Sequence, residues 1–240
     1  MTTVIAETES LLALSKPAGL IAHSDGRTEE ASLAEWIAKK YPEMVEIGEP
    51  WVSPQGESVR MCGLVHRLDR STSGVILAAR TQKMYDYLKA EFKARRVEKK
   101  YRAVVYGHLA QESGRIVARI ERTNTIPKKW EAVPCDESHT RAAITEYAVL
   151  KRDKAPEGTP YTYVELSPKT GRTHQIRVHM ASMGHPLVGD HIYAPERPSI
   201  LGFIRPALHA YSISFALPSG ERLEYNAPLP EDFATAMGAN

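Results

Sequence analysis

A carboxylate between two arginines is the feature of this sequence with the clearest chemical use. Asp69 stands between Arg67 and Arg70, just before the turn-forming stretch Ser71-Thr72-Ser73-Gly74. Positive charge on both sides favours the ionised form of a carboxyl group, which is a poor proton donor but a competent anion, nucleophile or base. The same pattern is also typical of an Asp that caps a turn or forms an ion pair in a loop. The residues alone leave both interpretations open.

The segments that follow Asp69 predict a loop anchored by a buried strand and then a helix. The run Val75 to Ala79 is continuously apolar, which is typical of a strand covered on both faces. From Thr81 to about Arg95 an amphipathic helix is predicted. Its apolar residues recur every fourth position, at Met84, Leu88 and Phe92.

The rest of the chain predicts many strands and two further helices. One helix begins after the N-cap candidate Ser32 and ends before Pro42, and a short one follows the N-cap candidate Thr173 and stops at Gly184. A polar stretch, 122–140, is expected to join two strands without an element of its own. The predicted strands are two pieces within Val4–His23, then Lys100–His108, Gly114–Glu121, Ala142–Leu150, Tyr161–Leu166, Ala207–Leu217 and Glu221–Tyr225.

Composition describes an ordinary globular protein. The 240 residues are 25% charged and 42% hydrophobic, which predicts one compact domain and argues against disorder. There is no apolar run long enough to span a bilayer, and the first residues lack the pattern of a signal peptide, so we expect a cytoplasmic location. The two cysteines, Cys62 and Cys135, offer neither a disulfide framework nor a zinc site.

Basic residues are concentrated in one interval of a chain whose net charge is only +2. Residues 80–102 contain nine basic and three acidic side chains, a net charge of +6. Such a concentration is the electrostatic footprint expected for binding a phosphate backbone. A solvated helical face would give the same count, so both interpretations stay open.

Two other chemistries fit the sequence poorly. His174 and His179 are five residues apart, so they do not converge on one metal ion on either a strand or a helix. A glycosidase needs a second carboxylate close to Asp69, and none lies nearby in sequence. Phosphate-binding signatures of nucleotide enzymes are absent. We therefore expect no metal and no cofactor.

The residues around Asp69 resemble the catalytic signature of the RluA family of RNA pseudouridine synthases. That signature is His66-Arg67-Leu68-Asp69 followed by Thr72-Ser73-Gly74. Further matches occur in the family's order across nearly the whole chain. They are Lys16-Pro-Ala-Gly19, Lys100-Tyr101, Gly171 to His179, His185 to Asp190 with Tyr193, and Leu208-His-Ala210.

The resemblance implies a fold, a reaction and a set of site residues. The fold is an α/β domain of the α+β type, with a mixed, mainly antiparallel sheet and flanking helices around a central cleft. The reaction detaches uracil from the ribose of a uridine, rotates it and rejoins it through carbon. Asp69 would be the essential carboxylate, Tyr101 would stack on the target base, and Arg177, with Arg172 as the alternative, would pair with Asp69. The partner is RNA, with these candidate contacts: Arg67, in the place of the extruded base, His66, Arg70, Lys93, Arg95, Arg96, Lys100, Arg172 and His174.

The position of the Lys16-Pro-Ala-Gly19 turn indicates which members of the family this chain resembles most in domain organisation. Many members carry an N-terminal S4 RNA-binding domain, whereas here the Lys16-Pro-Ala-Gly19 turn leaves no room for one. We therefore expect a single catalytic domain over residues 1–240, acting as a monomer on stem-loops of ribosomal or transfer RNA. The alternative is a catalytically idle RNA-binding or RNA-remodelling module on the same fold.

Overall fold

The computed structural model describes residues 1–24, 30–52, 56, 58–124 and 129–238 and has the expected mixed α+β fold. The helices are α1 (Leu33–Lys40), α2 (Gln82–Lys93), α3 (Gln175–Ser182) and α4 (Glu231–Met237). The strands are β1 (Thr3–Glu7), β2 (Leu11–Lys16), β3 (Trp51–Val52), β4 (Ser58–Val59), β5 (Ser73–Ala79), β6 (Glu98–Tyr106), β7 (Ser113–Arg122), β8 (Trp130–Pro134), β9 (Ala142–Lys154), β10 (Pro160–Pro168), β11 (Leu208–Ala216) and β12 (Arg222–Asn226). No helix in the described residues is long and apolar enough to cross a membrane.

The chain divides into two compact units. The first unit contains Met1–Glu98 and Ala210–Pro228, and the second contains Lys99–His209 and Leu229–Asn240. The expectation of a single catalytic domain stays a prediction.

A fully buried strand organises the first unit. Its strands follow the order β1-β2-β5-β11, with β12 paired to β11. All seven residues of β5 are buried, which explains its continuously apolar sequence. The antiparallel register of β2 and β5 places Lys16 opposite Gly74.

Both predicted helices of the first unit form, and each begins with a side-chain cap. Ser32 and Glu35 form a capping box at the start of α1. Thr81 caps α2 by accepting a hydrogen bond from the backbone N–H of Met84. Helix α2 ends where Arg95 adopts the left-handed conformation that a glycine usually supplies.

The second unit is a five-stranded sheet with a core on each face. Its strands follow the order β6-β10-β9-β7-β8. On one face Ile176 and Met180 of α3 pack against Ala103 and Val105 of β6. On the other face Val104 and Tyr106 of β6 pack with the segment around Phe203 and with Phe233 of α4. The alternating residues of β6 therefore contribute to both cores.

Two elements of the second unit were not predicted from the sequence. Strand β8 lies within the stretch expected to lack an element, and it pairs only with β7. Its five residues end in a proline, which is tolerated at the edge of a sheet but weakens any strand signal. Helix α4 has only seven residues, too few for a helical period to be recognised.

Replacing Gly74 with alanine should destabilise the first unit. Gly74 has φ +122, and a Cβ there would lie 2.2 Å from the carbonyl oxygen of Ala210 on the neighbouring strand. We expect the free energy of unfolding to fall by roughly 3 kcal/mol or more, as for other severe backbone clashes, measured by urea denaturation. Gly171→Ala is the matched control, because a Cβ at Gly171 meets no atom within 4 Å. Equal stability of the two variants would contradict the close approach.

Candidate active site

The backbone next to Asp69 is held by a buried lysine in the first unit. Lys16 has no exposed surface, and its ammonium donates to the carbonyl oxygens of Pro17 (2.9 Å), Leu20 (2.7 Å) and Arg70 (3.3 Å). The N–H of Gly19 also donates to the Arg70 carbonyl, at 2.8 Å. The predicted Lys16-Pro-Ala-Gly19 turn is therefore bound to the residue that follows Asp69.

Asp69 presents its carboxylate from a closed turn. Its carbonyl oxygen accepts a hydrogen bond of 3.0 Å from the N–H of Thr72. The side chain is partly buried and has no hydrogen bond or ion pair with another described side chain of the first unit. Of the flanking arginines, both exposed, Arg70 forms an ion pair with Glu30. The turn that contains Asp69 is thus closed by its backbone, and the carboxylate takes no part in closing it.

His66 fastens the same loop to its neighbours. Its Nε2 accepts a hydrogen bond of 3.0 Å from the N–H of Leu77 in β5, which requires the ring proton on Nδ1. Its ring stacks on Phe92 of α2, with centroids 4.8 Å apart. This geometry gives His66 an orienting role, and direct contact with RNA stays a prediction.

Tyr101 lies on the second unit. It is partly buried on β6, opposite Leu166 of β10, and packs against the core that contains α3. The neighbouring Lys100 and Arg102 point to the other face, where both form ion pairs with Glu165, at 3.4 and 3.0 Å. The structure therefore gives Lys100, a predicted RNA contact, a carboxylate partner within its own unit.

Arg177 is held by a carboxylate that the sequence analysis did not single out. In the buried pair with Asp190, its Nε and Nη2 donate to the two carboxylate oxygens, at 2.7 and 2.8 Å. Asp190 also accepts from the N–H groups of Ile192 and Tyr193, and the Tyr193 ring lies under the guanidinium at 5.1 Å. Asp190 was visible only as a member of the His185 to Asp190 motif. The predicted pair of Arg177 with Asp69 joins residues of different units and stays a prediction.

The start of α3 differs from the sequence prediction. The N-cap is His174, in the left-handed conformation with φ 54, and not Thr173. No side-chain hydrogen bond caps the helix; instead, the Gln175 side-chain oxygen accepts from the N–H of the exposed Arg172 at 3.0 Å. The hydroxyl of Tyr193 lies 3.0 Å from Nδ1 of His174. The predicted end is right, since Gly184 follows the helix with φ +80.

A buried polar network joins α3 to β9 in the second unit. The amide of Gln175 donates to the Ile144 carbonyl and to the Thr145 hydroxyl, both at 3.0 Å. Nδ1 of His179 lies 2.9 Å from the same hydroxyl, whereas its Nε2 has no hydrogen-bond partner among the described residues. Burial lowers the pKa of His179 from 6.5 to about 4. The folded protein therefore keeps this imidazole neutral.

The last predicted RNA contacts lie at the end of α2 and differ in their surroundings. Lys93 and Arg95 are exposed. Arg96 instead donates to both carboxylate oxygens of the buried Glu91, and these bonds lower the pKa of Glu91. An RNA contact by Arg96 stays a prediction. The ion pair with Glu91 makes that contact less favourable, because Arg96 would have to give up its partner. In the described residues no group of three or more His, Cys, Asp or Glu side chains could hold a metal ion.

Comparison with known proteins agrees with this fold and these motifs. The solved structure of human RNA Pseudouridylate Synthase Domain Containing 1 matches 96% of this chain and 84% of its own, with 26% identity and a TM-score of 0.69. The fold is therefore that of the pseudouridine synthases. The model of the RNA pseudouridylate synthase family matches residues 10–182. The chain belongs to this family of RNA-modifying isomerases, as the motifs indicated.

Curated relatives in bacteria are similar over most of the chain. Ribosomal large subunit pseudouridine synthase D of Pseudomonas aeruginosa is 33% identical over 96% of this chain and 69% of its own length. The Dual-specificity RNA pseudouridine synthase RluA of Vibrio parahaemolyticus is 34% identical over 92% of this chain and 80% of its own. Among the relatives compared, the chain spans as little as 58% of the other protein's length, in a pseudouridine synthase D of Neisseria meningitidis.

Lys16→Met should loosen the Asp69 loop. The substitution keeps most of the buried volume but removes the donor shared by three carbonyl oxygens, at a cost of about 1–3 kcal/mol for each buried polar group left unsatisfied. We expect a lower melting temperature together with a lower kcat in the folded protein. The exposed Lys39 provides the control variant, Lys39→Met. A variant as stable and as active as the control would show that the clamp is dispensable.

His179 should make the protein less stable in mild acid. The unfolded chain binds a proton at this residue below about pH 6.5, whereas the folded state resists protonation until about pH 4. The contribution of His179 is thus complete above pH 6.5, and up to roughly 3 kcal/mol is lost as the pH falls towards 4. Urea denaturation across this range measures it. His179→Gln should flatten the profile relative to wild type, whereas the exposed control His108→Gln should not.

Proposed function

We propose that this protein converts uridine to pseudouridine in structured RNA, in stem-loops of ribosomal or transfer RNA, with Asp69 as the essential carboxylate. The observation that carries the proposal is the family match over residues 10–182, which contains Asp69, Tyr101 and Arg177. The substrate class is supported by the names of two relatives, one a ribosomal large subunit synthase and the other a dual-specificity synthase.

The chemistry requires an anion but no net oxidation or reduction. The bond from N1 of uracil to C1′ of ribose breaks, a bond from C5 to C1′ forms, the C5 proton leaves, and N1 gains a proton. Asp69 acts either as a nucleophile on the uridine or as the base that removes the ribose 2′ proton. Both roles use an ionised carboxylate, and the described side chains of its own unit leave that of Asp69 unpaired.

The other site residues divide the remaining tasks. Tyr101 stacks on the swung-out base, for which its partly buried ring offers a flat apolar surface. Arg177 pairs with Asp69, and its bidentate pair with Asp190 fixes the plane of its guanidinium. Arg67, exposed beside Asp69, takes the place of the extruded base. A monomeric state and a cytoplasmic location complete the proposal, testable by light scattering and by fractionation.

Asp69→Asn should abolish turnover without abolishing binding. RNA labelled with tritium at C5 of uridine releases the label when pseudouridine forms, so we expect release from ribosomal or transfer RNA taken from cells that lack this protein. The amide can neither attack nor accept the proton, and we expect a loss of roughly 10³-fold or more. Asp86→Asn on the exposed face of α2 is the control and should keep wild-type activity.

The same assay separates the enzyme from an idle RNA-binding module. Binding of the RNA by the wild type without any release of tritium, together with an unchanged Asp69→Asn variant, would overturn the proposed function. Sequencing of pseudouridines in cells with and without the protein then identifies the modified uridine. That map also supplies the substrate for the next experiment.

A further inference from the structure

The first residues of β6 present two kinds of basic side chain. Strand alternation places Lys99 and Tyr101 on one face and Lys100 and Arg102 on the other. Lys100 and Arg102 share the carboxylate of Glu165. Lys99 and Tyr101 are two residues apart and are neighbours on the same face of the strand, with about 7 Å between their Cα atoms. The two faces of this short segment therefore differ in how their charges are balanced.

Lys99 is a partly desolvated cation without a counter-charge. Its side chain is partly buried, yet no described residue forms an ion pair or a hydrogen bond with it. Burial alone lowers the pKa of its ammonium from 10.5 to about 8. Near neutral pH it is still mostly protonated, so the fold holds a positive charge away from water with nothing on the described chain to compensate it.

We propose that Lys99 binds a phosphate group of the RNA backbone next to the uridine that stacks on Tyr101. The inference rests on the proposed function, because it takes Tyr101 as the platform for the target base. A phosphodiester oxygen supplies the negative charge and the acceptor that the described protein does not provide. The ammonium is suited to this contact because a partly desolvated charge interacts more strongly than an exposed one and is screened less by salt.

Lys99 differs in its surroundings from Lys100 on the same strand and from Lys93 on α2. An exposed lysine such as Lys93 attracts RNA at a distance but fixes no position, since its chain is flexible and fully hydrated. Lys100 must give up Glu165 before it binds a phosphate fully. Lys99 has no such competitor among the described residues, and its backbone is fixed in the strand that carries Tyr101. It is therefore a positioning residue for the nucleotide.

Charge removal at Lys99 provides the first test. In Lys99→Met we expect the Kd for a modified stem-loop RNA to rise about tenfold, as for the loss of one charge-assisted hydrogen bond. The slope of log Kd against log salt should shrink by about 0.7 to 0.9, the value for one phosphate contact. KM should rise with kcat nearly unchanged. Lys99→Arg should recover most of the affinity, and the exposed control Lys154→Met should keep the wild-type slope.

A neutral RNA linkage provides the second test and uses the wild-type protein. Synthetic stem-loops carry one uncharged methylphosphonate at each position around the target uridine in turn. We expect one linkage beside that uridine to weaken wild-type binding by a similar factor. In Lys99→Met the same linkage should cost nothing further, because the two changes remove the two ends of one contact.

The outcomes distinguish this inference from the proposed function. A folded Lys99→Met variant with wild-type Kd and salt slope would overturn it, and so would a loss confined to kcat. If the variant does not fold, a wild type insensitive to every neutral linkage beside the target would overturn it by itself. The proposed function fails independently, if the wild type releases no tritium at all.

Discussion

The Asp69 loop depends on a fully buried lysine ammonium, that of Lys16, which donates hydrogen bonds to backbone carbonyl oxygens of its own unit. Burying a charge is costly unless its donors are used, and three carbonyl oxygens match the three N–H donors of Lys16. One of those oxygens belongs to Arg70, the residue after Asp69. The interaction therefore fixes the backbone one residue from the proposed reacting group. Pairing of β2 with β5 brings Lys16 into place, so the register of two strands sets the position of a loop.

Arg177 in the second unit depends on a different kind of constraint. A buried ion pair adds little net stability, because desolvation offsets most of the attraction unless every lone pair is satisfied. Asp190 accepts four hydrogen bonds, two from Arg177 and two from backbone N–H groups, which offset much of that desolvation cost. A bidentate pair also fixes the plane of the guanidinium, which a single bond would leave able to rotate. We interpret the pair as orienting Arg177 for its role in the site.

The sequence predicted the elements that have strong local signals and missed hydrogen bonds that depend on where a particular side chain points. Helix α2 follows from apolar periodicity and strand β5 from a continuous apolar run, and both signals are local. The N-cap of α3 was wrong because Gln175 reaches back to the N–H of Arg172, a bond that no local preference of Thr173 reveals. The link from Arg177 to Asp190 spans thirteen residues, so only folding brings it together. The family motif marked Asp190 but did not give it a partner.

The number of basic residues in the sequence also did not reveal which of them have carboxylate partners in the fold. Of the nine basic residues between 80 and 102, four have carboxylate partners among the described residues: Arg80, Arg96, Lys100 and Arg102. The other five are Lys83, Lys89, Lys93, Arg95 and Lys99. Four of these are exposed, and their fields decay over about 10 Å at moderate salt, which suits attraction of RNA better than placement of one nucleotide.

Arg95 and Lys99 contribute to that positive charge, and each lowers the stability of the folded protein. Arg95 occupies a left-handed position where glycine would relieve about 1 kcal/mol of strain. Lys99 keeps an ammonium partly out of water, which lowers its pKa. Stability alone favours neither residue at its position. A polyanionic partner gives both a physical reason, because its phosphates supply the negative charge that the described part of the protein does not.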